Sequence, residues 1–517
     1  MSIGPRSQKE EEYDEYVGRI ARGVGMSSTG QGVGRLIGYA TAAAIAKMHG
    51  KAQLGFYALG IVVLQVANIL SQFGMDNGVV RYVAHYRSED DTARVRGTIL
   101  QAVGVTFGLS LVLSGIIFFG AGFLSDTVFN KPFLETMFRL FSVALPFFTL
   151  MSIALWATQG FQTVKYATLV RDILRPLVNL ILVFVFYFSG EQILGAVVAY
   201  IASMALGAGL ALYYLTRVFP KLLDRETAPI YESRALFSVS GPMIIANFTQ
   251  YINLWTALIV LGIFTSAGEV GIYDVASRTA TLSALVLISF GGIFSPMISS
   301  LHQQGLTNDL GYLYRDVSRW TFTGALVFFL ITALLAKDIM AFFGQDFIIG
   351  WPVIVIVAAA QLFNSSVGPT ARVLAMTGRQ RMVMTATVSS AIVAVAANLL
   401  LVPPFGIFGA AIATATALVV SNTLSLFFVR RFLGFWPYER SYIKPLAAGL
   451  AACAGVYLAR LALPGYEGLP ALALFTPVFL TAFAATLTAL GLSPSDRQFL
   501  TSFWTAVRRN LKRSVKV

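Results

Sequence analysis

The sequence predicts an all-α integral membrane protein with about 14 transmembrane helices. Of its 517 residues, 56% are hydrophobic and only 12% are charged, and the mean hydropathy is +0.71. A soluble domain has roughly 25% charged residues, so most of this chain must face apolar surroundings. Its apolar runs are about 20 residues long, the length of a membrane-spanning helix and twice that of a barrel strand.

Fourteen apolar runs have the length and composition of membrane spans. The first is rich in glycine and serine, and the tenth is interrupted by Pro369. The predicted spans are residues 25–46, 54–74, 97–121, 136–159, 169–188, 192–215, 237–263, 271–300, 319–336, 351–376, 383–402, 406–429, 442–463 and 471–491.

Lysine and arginine are unequally divided between the two sides of these spans. With the N-terminus placed in the cytoplasm, and with cations near span ends counted with the adjoining segment, 30 of the 38 fall in cytoplasmic segments and six in outside segments, while Arg35 and Arg278 lie deeper within spans. Cytoplasmic loops of membrane proteins carry such an excess. We therefore expect a multi-pass protein of the cytoplasmic (inner) membrane with both termini cytoplasmic. The net charge of +13 then follows from orientation, and no nucleic-acid partner is expected.

The chain contains an internal repeat with an offset close to 216 residues. Leu-Gly-Phe-Tyr at residues 54–57 opens the second span, and Val-Gly-Ile-Tyr at 270–273 opens the eighth. Three further pairs follow in order: Gly160 with Gly378, Asn179 with Asn398, and Gly195 with Gly409. Because six spans separate the copies, they share one orientation and are expected to be related by an axis along the membrane normal.

The repeat predicts two six-helix lobes and two additional C-terminal helices. Parallel lobes around a central site are typical of transporters. The predicted units are an N-terminal lobe at residues 1–216, a cytoplasmic linker at 217–236, a C-terminal lobe at 237–430, and spans 13 and 14 with a basic cytoplasmic tail at 431–517.

Charged residues inside the predicted spans are the first candidates for a site, because a charge in a bilayer is costly and usually functional. Arg35 lies near the middle of the first span and Arg278 lies well inside the eighth, in the other lobe. Arginine keeps its proton, so each needs water, a counter-ion or a ligand. Two such cations suit an anionic substrate such as a diphosphate, which guanidinium groups bind bidentately.

Neighbouring polar residues extend this candidate site. Asp274 precedes Arg278 by four residues, so the two share a helical face; the structural alternative is that Arg278 only pairs with Asp274. Gln31 is the polar side chain nearest to Arg35 in the sequence. Asn247, Gln250 and Asn253 follow one side of the seventh span, where they could contact sugar hydroxyls or form hydrogen bonds between helices.

No motif of a soluble enzyme is present in the sequence. There is no glycine-rich phosphate loop ending in Lys-Ser or Lys-Thr and no His-Glu-x-x-His. The single cysteine, Cys453, excludes an internal disulfide and argues against a cysteine-based metal site. We therefore expect neither enzymatic activity nor a cofactor or metal.

Two segments resemble the signatures of polysaccharide flippases. One is residues 54–57 followed by Gln-Phe-Gly-Met-Asp-Asn-Gly-Val-Val-Arg-Tyr-Val at 72–83, and the other is Glu-Val-Gly-Ile-Tyr-Asp-Val-Ala-Ser-Arg at 269–278. The chain is similar to the oligosaccharide flippase (polysaccharide transporter) family of the multidrug/oligosaccharidyl-lipid/polysaccharide exporter superfamily. The six-plus-six-plus-two plan extends the resemblance over nearly the whole chain.

The resemblance implies a function in cell-surface polysaccharide biosynthesis, including exopolysaccharide. Such proteins move a polyprenyl-diphosphate-linked oligosaccharide from the inner to the outer leaflet by alternating access, driven by a proton or sodium gradient or by the membrane potential. Their cationic cavity implies substrate contact by Arg35 and Arg278, with Asp274 matching less firmly. The implied partners are the lipid-linked oligosaccharide, membrane lipids, a polysaccharide polymerase and glycosyltransferases. The sugar is not identified.

Three other classes remain open at this stage. A lipid II flippase, which moves a peptidoglycan precursor, has the same fourteen-span plan but is expected to have more arginines in its first span. A multidrug and toxin extrusion-type cation antiporter typically has acidic cavity residues, whereas Asp274 lies beside arginine. A membrane-embedded glycosyltransferase or ligase needs a long outside loop with catalytic carboxylates, and the longest here is residues 122–135.

Overall fold

The structure, a computed structural model, describes residues 8–224 and 228–491 together with Asp496, with side chains described from Gly30 onward except at nine positions in two helices. The predicted all-α fold is confirmed, because all regular elements among these residues are helices. The predicted C-terminal tail lies outside the described residues apart from Asp496.

Seventeen helices follow one another along this part of the chain, with π-helical turns at Leu124–Val128 and Thr168–Leu174. The helices are α1 (Gln8–Gln72), α2 (Met75–Ser88), α3 (Thr92–Phe123), α4 (Phe133–Gly160), α5 (Lys165–Ala167), α6 (Arg175–Phe188), α7 (Ile193–Val218), α8 (Ser233–Phe264), α9 (Ala267–Thr281), α10 (Ala284–Gln303), α11 (Thr307–Leu334), α12 (Ala336–Phe343), α13 (Trp351–Ser366), α14 (Thr370–Met376), α15 (Gln380–Leu433), α16 (Ile443–Ala462) and α17 (Leu469–Ala489).

Ten helical segments in the described part of the chain are long and apolar enough to cross a membrane. Two of them contain two predicted spans each. In α1 the turn between the spans is at Gly50, where φ is 81°, and in α15 it is at Gly406, where φ is 53°. Glycine adopts positive φ readily. Each chain reversal is therefore made at a single glycine, and the turn between the two spans is very short. Conversely, the predicted span 271–300 is divided between α9 and α10, with a break at residues 282–283.

Large apolar side chains cover the outside of the molecule. Phe119, Phe188, Leu400 and Leu450 are each more than 70% exposed. A soluble protein rarely exposes a large continuous apolar surface to water, whereas the lipid tails of a membrane solvate such a surface. The exposure therefore fits a bilayer as the surrounding solvent.

The helices pack in two groups of six predicted spans. In the first group α4 contacts α1, α2, α3 and α7, and its core includes the fully buried Phe138. In the second group α8 packs on α15, and α13 packs between α11 and α15. The pair α16 and α17 forms its own core around Phe475 and Phe479 and lies against α11 and α12.

The two groups meet at a glycine contact between α1 and α9. A Cβ atom on Gly55 would overlap the carbonyl oxygen of Ala267, and one on Gly271 would overlap that of Lys51. Both glycines and both carbonyls are 216 residues apart, so the two contacts mirror each other. Reciprocal contacts of this kind are the mark of a two-fold axis, and the axis relating the repeats therefore passes between Gly55 and Gly271.

The groups touch on both sides of the membrane. On the linker side, where residues 219–232 connect them, Asn247 Nδ2 donates to Asp76 Oδ2 at 3.1 Å. On the far side, Lys131 Nζ donates to the carbonyl of Gly262 at 2.5 Å. Burial lowers the pKa of the Lys131 amine below its usual range. The sequence predicts that the linker side is cytoplasmic, and the cavity described next lies between these two sets of contacts.

Candidate functional site

A cavity of about 620 Å³ lies between the two groups of helices. Helix α1 and the segment around the start of α6 form one wall, and α8, α9, α10 and α13 form the other. The lining residues are Gln31, Gly34, Arg35, Gly38, Tyr39, Arg171, Asp172, Arg175, Pro176, Leu254, Arg278, Thr281, Leu282, Ala284, Ile288, Gln361 and Asn364.

Arginine dominates the charge of this cavity. Arg35, Arg171, Arg175 and Arg278 line it together with one carboxylate, that of Asp172. Arg171 Nε is held by Asp172 Oδ1 at 2.9 Å, whereas Arg35 forms no ion pair with any described residue. The excess of guanidinium groups gives the cavity a positive potential and suits it to an anion with several oxygens.

Arg278 is paired with Asp274 and still faces the cavity. Its Nε donates to Asp274 Oδ2 at 2.7 Å, and Asp274 is only 3% exposed, whereas the Arg278 side chain is 34% exposed. Among the described residues, no other carboxylate pairs with Arg278. The predicted structural role and the predicted substrate role are thus compatible, because Asp274 fixes one edge of the guanidinium plane and leaves the terminal nitrogens for a ligand.

A smaller cavity of about 160 Å³ continues from the first. The two share Gly38, Arg175, Pro176 and Arg278, so they adjoin each other. We call them the main cavity and the inner cavity. The inner cavity is lined by Gly38, Thr41, Ala42, Leu54, Tyr57, Ile61, Gln65, Arg175, Pro176, Asn179, Tyr200, Trp255, Asp274 and Arg278.

Glycines in α1 bring its arginine close to those near α6. A Cβ atom on Gly34 would overlap the carbonyl oxygen of Asp172, and one on Gly30 would overlap the side chain of Thr168. The partner segment is the π-helical stretch Thr168–Leu174, and such stretches are often found at functional sites. The close approach places Arg35 on the same cavity wall as Arg171 and Arg175.

The structure brings four of the predicted site residues together. Gln31, Arg35 and Arg278 line the main cavity, and Asp274 lines the inner one. The three predicted polar residues of α8, Asn247, Gln250 and Asn253, line neither cavity.

The predicted row of amides on α8 is placed elsewhere. Asn247 contacts Asp76 on α2, and Asn253 donates to the carbonyl of Thr387 and accepts from Ser390 Oγ on α15. Gln250 is exposed. For Asn247 and Asn253 this placement favours the interhelical alternative, because their hydrogen-bonding groups are already occupied by neighbouring helices.

Sequence reasoning missed two cavity arginines. Arg171 and Arg175 lie within the predicted fifth span, but they were counted with the cytoplasmic cations because they are near its start. Their spacing of four residues, which puts both on one helical face, was the available signal. Gln361 and Asn364 on α13 were also missed; Asn364 Nδ2 donates to Gln361 Oε1 at 3.2 Å, so the two form one polar strip.

The helical bundle and its cationic cavity define a multi-span membrane transporter. The profile of a family described as polysaccharide biosynthesis protein matches residues 20–302, more than half of the chain. The chain belongs to this family, a flippase-type family of transporters in polysaccharide biosynthesis, and the membership predicted from the two signatures is confirmed.

Curated relatives include proteins named as flippases. The chain is 24% identical over 263 residues to the probable low-salt glycan biosynthesis flippase Agl15 of Haloferax volcanii, covering 51% of this chain and 55% of that protein, so the chain spans about half the length of this relative. It is 22% identical over 422 residues to stage V sporulation protein B of Bacillus subtilis, covering 76% and 80% of the two chains.

Solved structures share the fold. The lipid II flippase MurJ in an inward closed conformation matches with a TM-score of 0.71 at 14% identity, over 90% of this chain and 98% of that one. An inward-facing multidrug resistance MATE family transporter matches with a TM-score of 0.63 at 16% identity, over 77% and 94%. At these identities the similarity shows a shared fold.

Proposed function

We propose that this protein moves a polyprenyl-diphosphate-linked oligosaccharide from the inner to the outer leaflet of the cytoplasmic membrane for cell-surface polysaccharide biosynthesis. The lobes rock against each other, so that the cavity opens alternately to each side. A proton or sodium gradient, or the membrane potential, drives the cycle. The lipid tail stays in the bilayer while the diphosphate and sugars occupy the cavity.

The four-arginine cavity is the observation that carries this proposal. A diphosphate offers several anionic oxygens, and guanidinium groups bind such oxygens in bidentate pairs. Among the described residues, Arg35 has no carboxylate partner. Arg278 contacts Asp274 through Nε, and its terminal nitrogens have no carboxylate partner among them. A volume of about 620 Å³ is within the range of small-molecule sites.

The same charge argues against a cation antiporter. A cationic drug needs carboxylates, yet Asp172 and Asp274, the only acids among the described residues that line the two cavities, are each in an ion pair with an arginine. A lipid II flippase remains a second candidate, since its substrate also combines a lipid diphosphate with sugars. The substrates differ in the peptide, which makes them separable by experiment.

The test is transport by purified protein in liposomes. Fluorescent polyprenyl diphosphate carrying a short oligosaccharide is loaded in one leaflet, and its arrival in the other is followed by quenching. We expect Arg35→Ala and Arg278→Ala to lower the rate to background, while Arg431→Ala, which removes an exposed arginine on the linker side, leaves it unchanged.

Three outcomes are informative. Transport of the oligosaccharide lipid that needs both cavity arginines supports the proposal. Transport of a muropeptide-bearing lipid in its place would identify a lipid II flippase. Full activity of Arg35→Ala and Arg278→Ala would refute the role of the cavity.

A further inference from the structure

The inner cavity ends beneath the contact that joins the two lobes. Leu54, which lines it, is next to Gly55, and Asp274 is one turn beyond Gly271. It borders the main cavity at Arg175 and Arg278, which line both. A group bound in the inner cavity is therefore adjacent to whatever those two arginines hold.

The walls of the inner cavity are aromatic. Tyr57 and Tyr200 are 5% and 4% exposed, and their rings meet edge to face with centroids 6.3 Å apart. Trp255 on α8 completes the wall from the other lobe. Aromatic surfaces with a few fixed polar groups are the usual lining of a small-molecule site, and the flat apolar faces of a pyranose ring match such surfaces.

Three residues that line this cavity each hold a buried side-chain polar atom with no hydrogen-bond partner within the described part of the protein. These atoms are the indole Nε1 of Trp255, the Oδ1 of Asn179 and the Nε of Arg175. Buried polar atoms are nearly always paired, and each unpaired one costs free energy. Trp255 supplies a donor and Asn179 an acceptor, a combination that suits hydroxyl groups, which both donate and accept.

The dimensions limit what can enter. The inner cavity, at about 160 Å³, is about half the size of the smallest usual ligand pockets, which have roughly 300 Å³. That is the space of a single sugar ring and not of an oligosaccharide. The main cavity, about four times larger, is left for the remaining headgroup.

We propose that the inner cavity is a monosaccharide subsite for the sugar attached directly to the diphosphate, with Trp255 and Asn179 as the residues that recognise its hydroxyl groups. The inference rests on the proposed flippase function. With phosphate oxygens held by Arg175 and Arg278 at the shared mouth, the phosphate-linked sugar is the part of the substrate that reaches the aromatic walls. The bonds that join this sugar to the phosphate and to the next sugar both lie where the two cavities adjoin, so the rest of the headgroup stays in the main cavity.

The test compares two kinds of lipid probe on the purified full-length protein. One probe is polyprenyl diphosphate without sugar, and the others carry a single hexose or N-acetylhexosamine. We expect the wild type to bind at least one sugar-bearing lipid roughly tenfold more tightly than the sugar-free lipid, the effect of about one well-placed hydrogen bond. Trp255→Phe and Asn179→Leu should lose this difference and keep the affinity for the sugar-free lipid, which also shows that they are folded.

The internal repeat supplies a matched control. Asn398 corresponds to Asn179, is 1% exposed and likewise has an unpaired Oδ1, but it lines neither cavity. Asn398→Leu should keep the sugar-dependent affinity.

Each outcome is decisive. If the wild type binds all the lipids equally, or if Asn398→Leu and Asn179→Leu behave alike, the subsite is refuted while the proposed function stands. If the wild type binds no polyprenyl diphosphate at all, the proposed function fails as well.

Discussion

Gly55 and Gly271 lie against each other's helices in mirrored contacts. A Cβ atom added at either position would overlap a carbonyl oxygen of the opposite lobe. A Cβ atom on Gly271 would also lie 3.0 Å from the Gly55 nitrogen. Only a hydrogen in place of the side chain permits α1 and α9 to come this close. The contact lies on the far side of the inner cavity, so in the proposed alternating-access cycle these two glycines would separate when the cavity opens to that side.

A bulky residue at either glycine is expected to hold the lobes apart on the far side. Gly55→Leu and Gly271→Leu overlap backbone, which cannot move as a flexible side chain does, so we expect a loss of about 3 kcal/mol in stability. Thr41 lines the inner cavity. The substitution Thr41→Cys, made in a Cys453→Ser background, therefore places a single reactive thiol there. Its labelling by an impermeant maleimide added on the far side should increase in the glycine variants.

The control for this prediction is a glycine with free space around it. Gly104 on α3 has no atom within 4 Å of its Cβ direction, so Gly104→Leu should leave both the melting temperature and the labelling unchanged. Equal labelling in Gly55→Leu and Gly104→Leu would contradict a gate at the glycine contact.

The pair Asp274–Arg278 is expected to separate stability from transport. Asp274→Ala leaves Arg278 without its counter-ion, and we expect a loss of about 2 kcal/mol, less than for a fully buried pair because the Arg278 side chain is 34% exposed. The double variant Asp274→Ala/Arg278→Ala removes both charges and should regain most of the stability.

Transport by the double variant decides between the two roles of Arg278. If Arg278 binds substrate, the double variant stays inactive despite its recovered melting temperature. Recovery of transport along with stability would show that Arg278 acts only as a partner of Asp274. Liposome transport and thermal unfolding in detergent, measured on the same preparations, provide both values.

Arg175 is expected to contribute more to binding than Arg171. Its Nε has no partner within the protein, whereas Arg171 is already held by Asp172. A charge-assisted hydrogen bond contributes about 1.5–3 kcal/mol, so Arg175→Gln should weaken the binding of polyprenyl diphosphate by tenfold or more. Titration calorimetry would measure it, with Arg171→Gln as the comparison; equal or reversed losses would disprove this ranking.

Asp338 is expected to fasten the two C-terminal helices to the second lobe. Its carboxylate, 7% exposed on α12, accepts hydrogen bonds from Arg460 on α16 and from the backbone nitrogen of Gly468 just before α17. Asp338→Ala should lower the free energy of unfolding by about 1–3 kcal/mol. We expect the lower part of this range, because the Arg460 side chain is 40% exposed and water screens its charge.

Limited proteolysis between α16 and α17 would detect this loosening. Asp346→Ala is a suitable control, because Asp346 is 77% exposed and its nearest cation, Lys51, is 3.6 Å away. Identical cleavage rates in the two variants would exclude the fastening role of Asp338.

Hydropathy located nearly all of the helices, because membrane insertion depends on the average composition of a local segment. The division of span 271–300 into α9 and α10 was not predicted, since no proline lies at residues 282–283 and the break has no local signal. The interruption at Pro369, by contrast, was visible, and α13 ends and α14 begins on its two sides.

The candidate site was only partly predictable. Arg35 and Arg278 stood out because each is a positive charge deep within an apolar run, and both line the main cavity. The amides of α8 were equally conspicuous, yet Asn253 is occupied by α15. Arg175 was overlooked because a cation near a span end resembles an ordinary cytoplasmic one.

The sequence by itself determined the membrane class, the all-α fold, the repeat and the family, because all of these follow from local composition and from short signatures. Only the tertiary structure decided which polar residues share a cavity and that Gly55 meets Gly271. The physical reason is that a helix in lipid inserts by its own hydropathy, whereas the direction each face takes depends on packing against other helices. Packing is set by contacts between residues far apart in the chain.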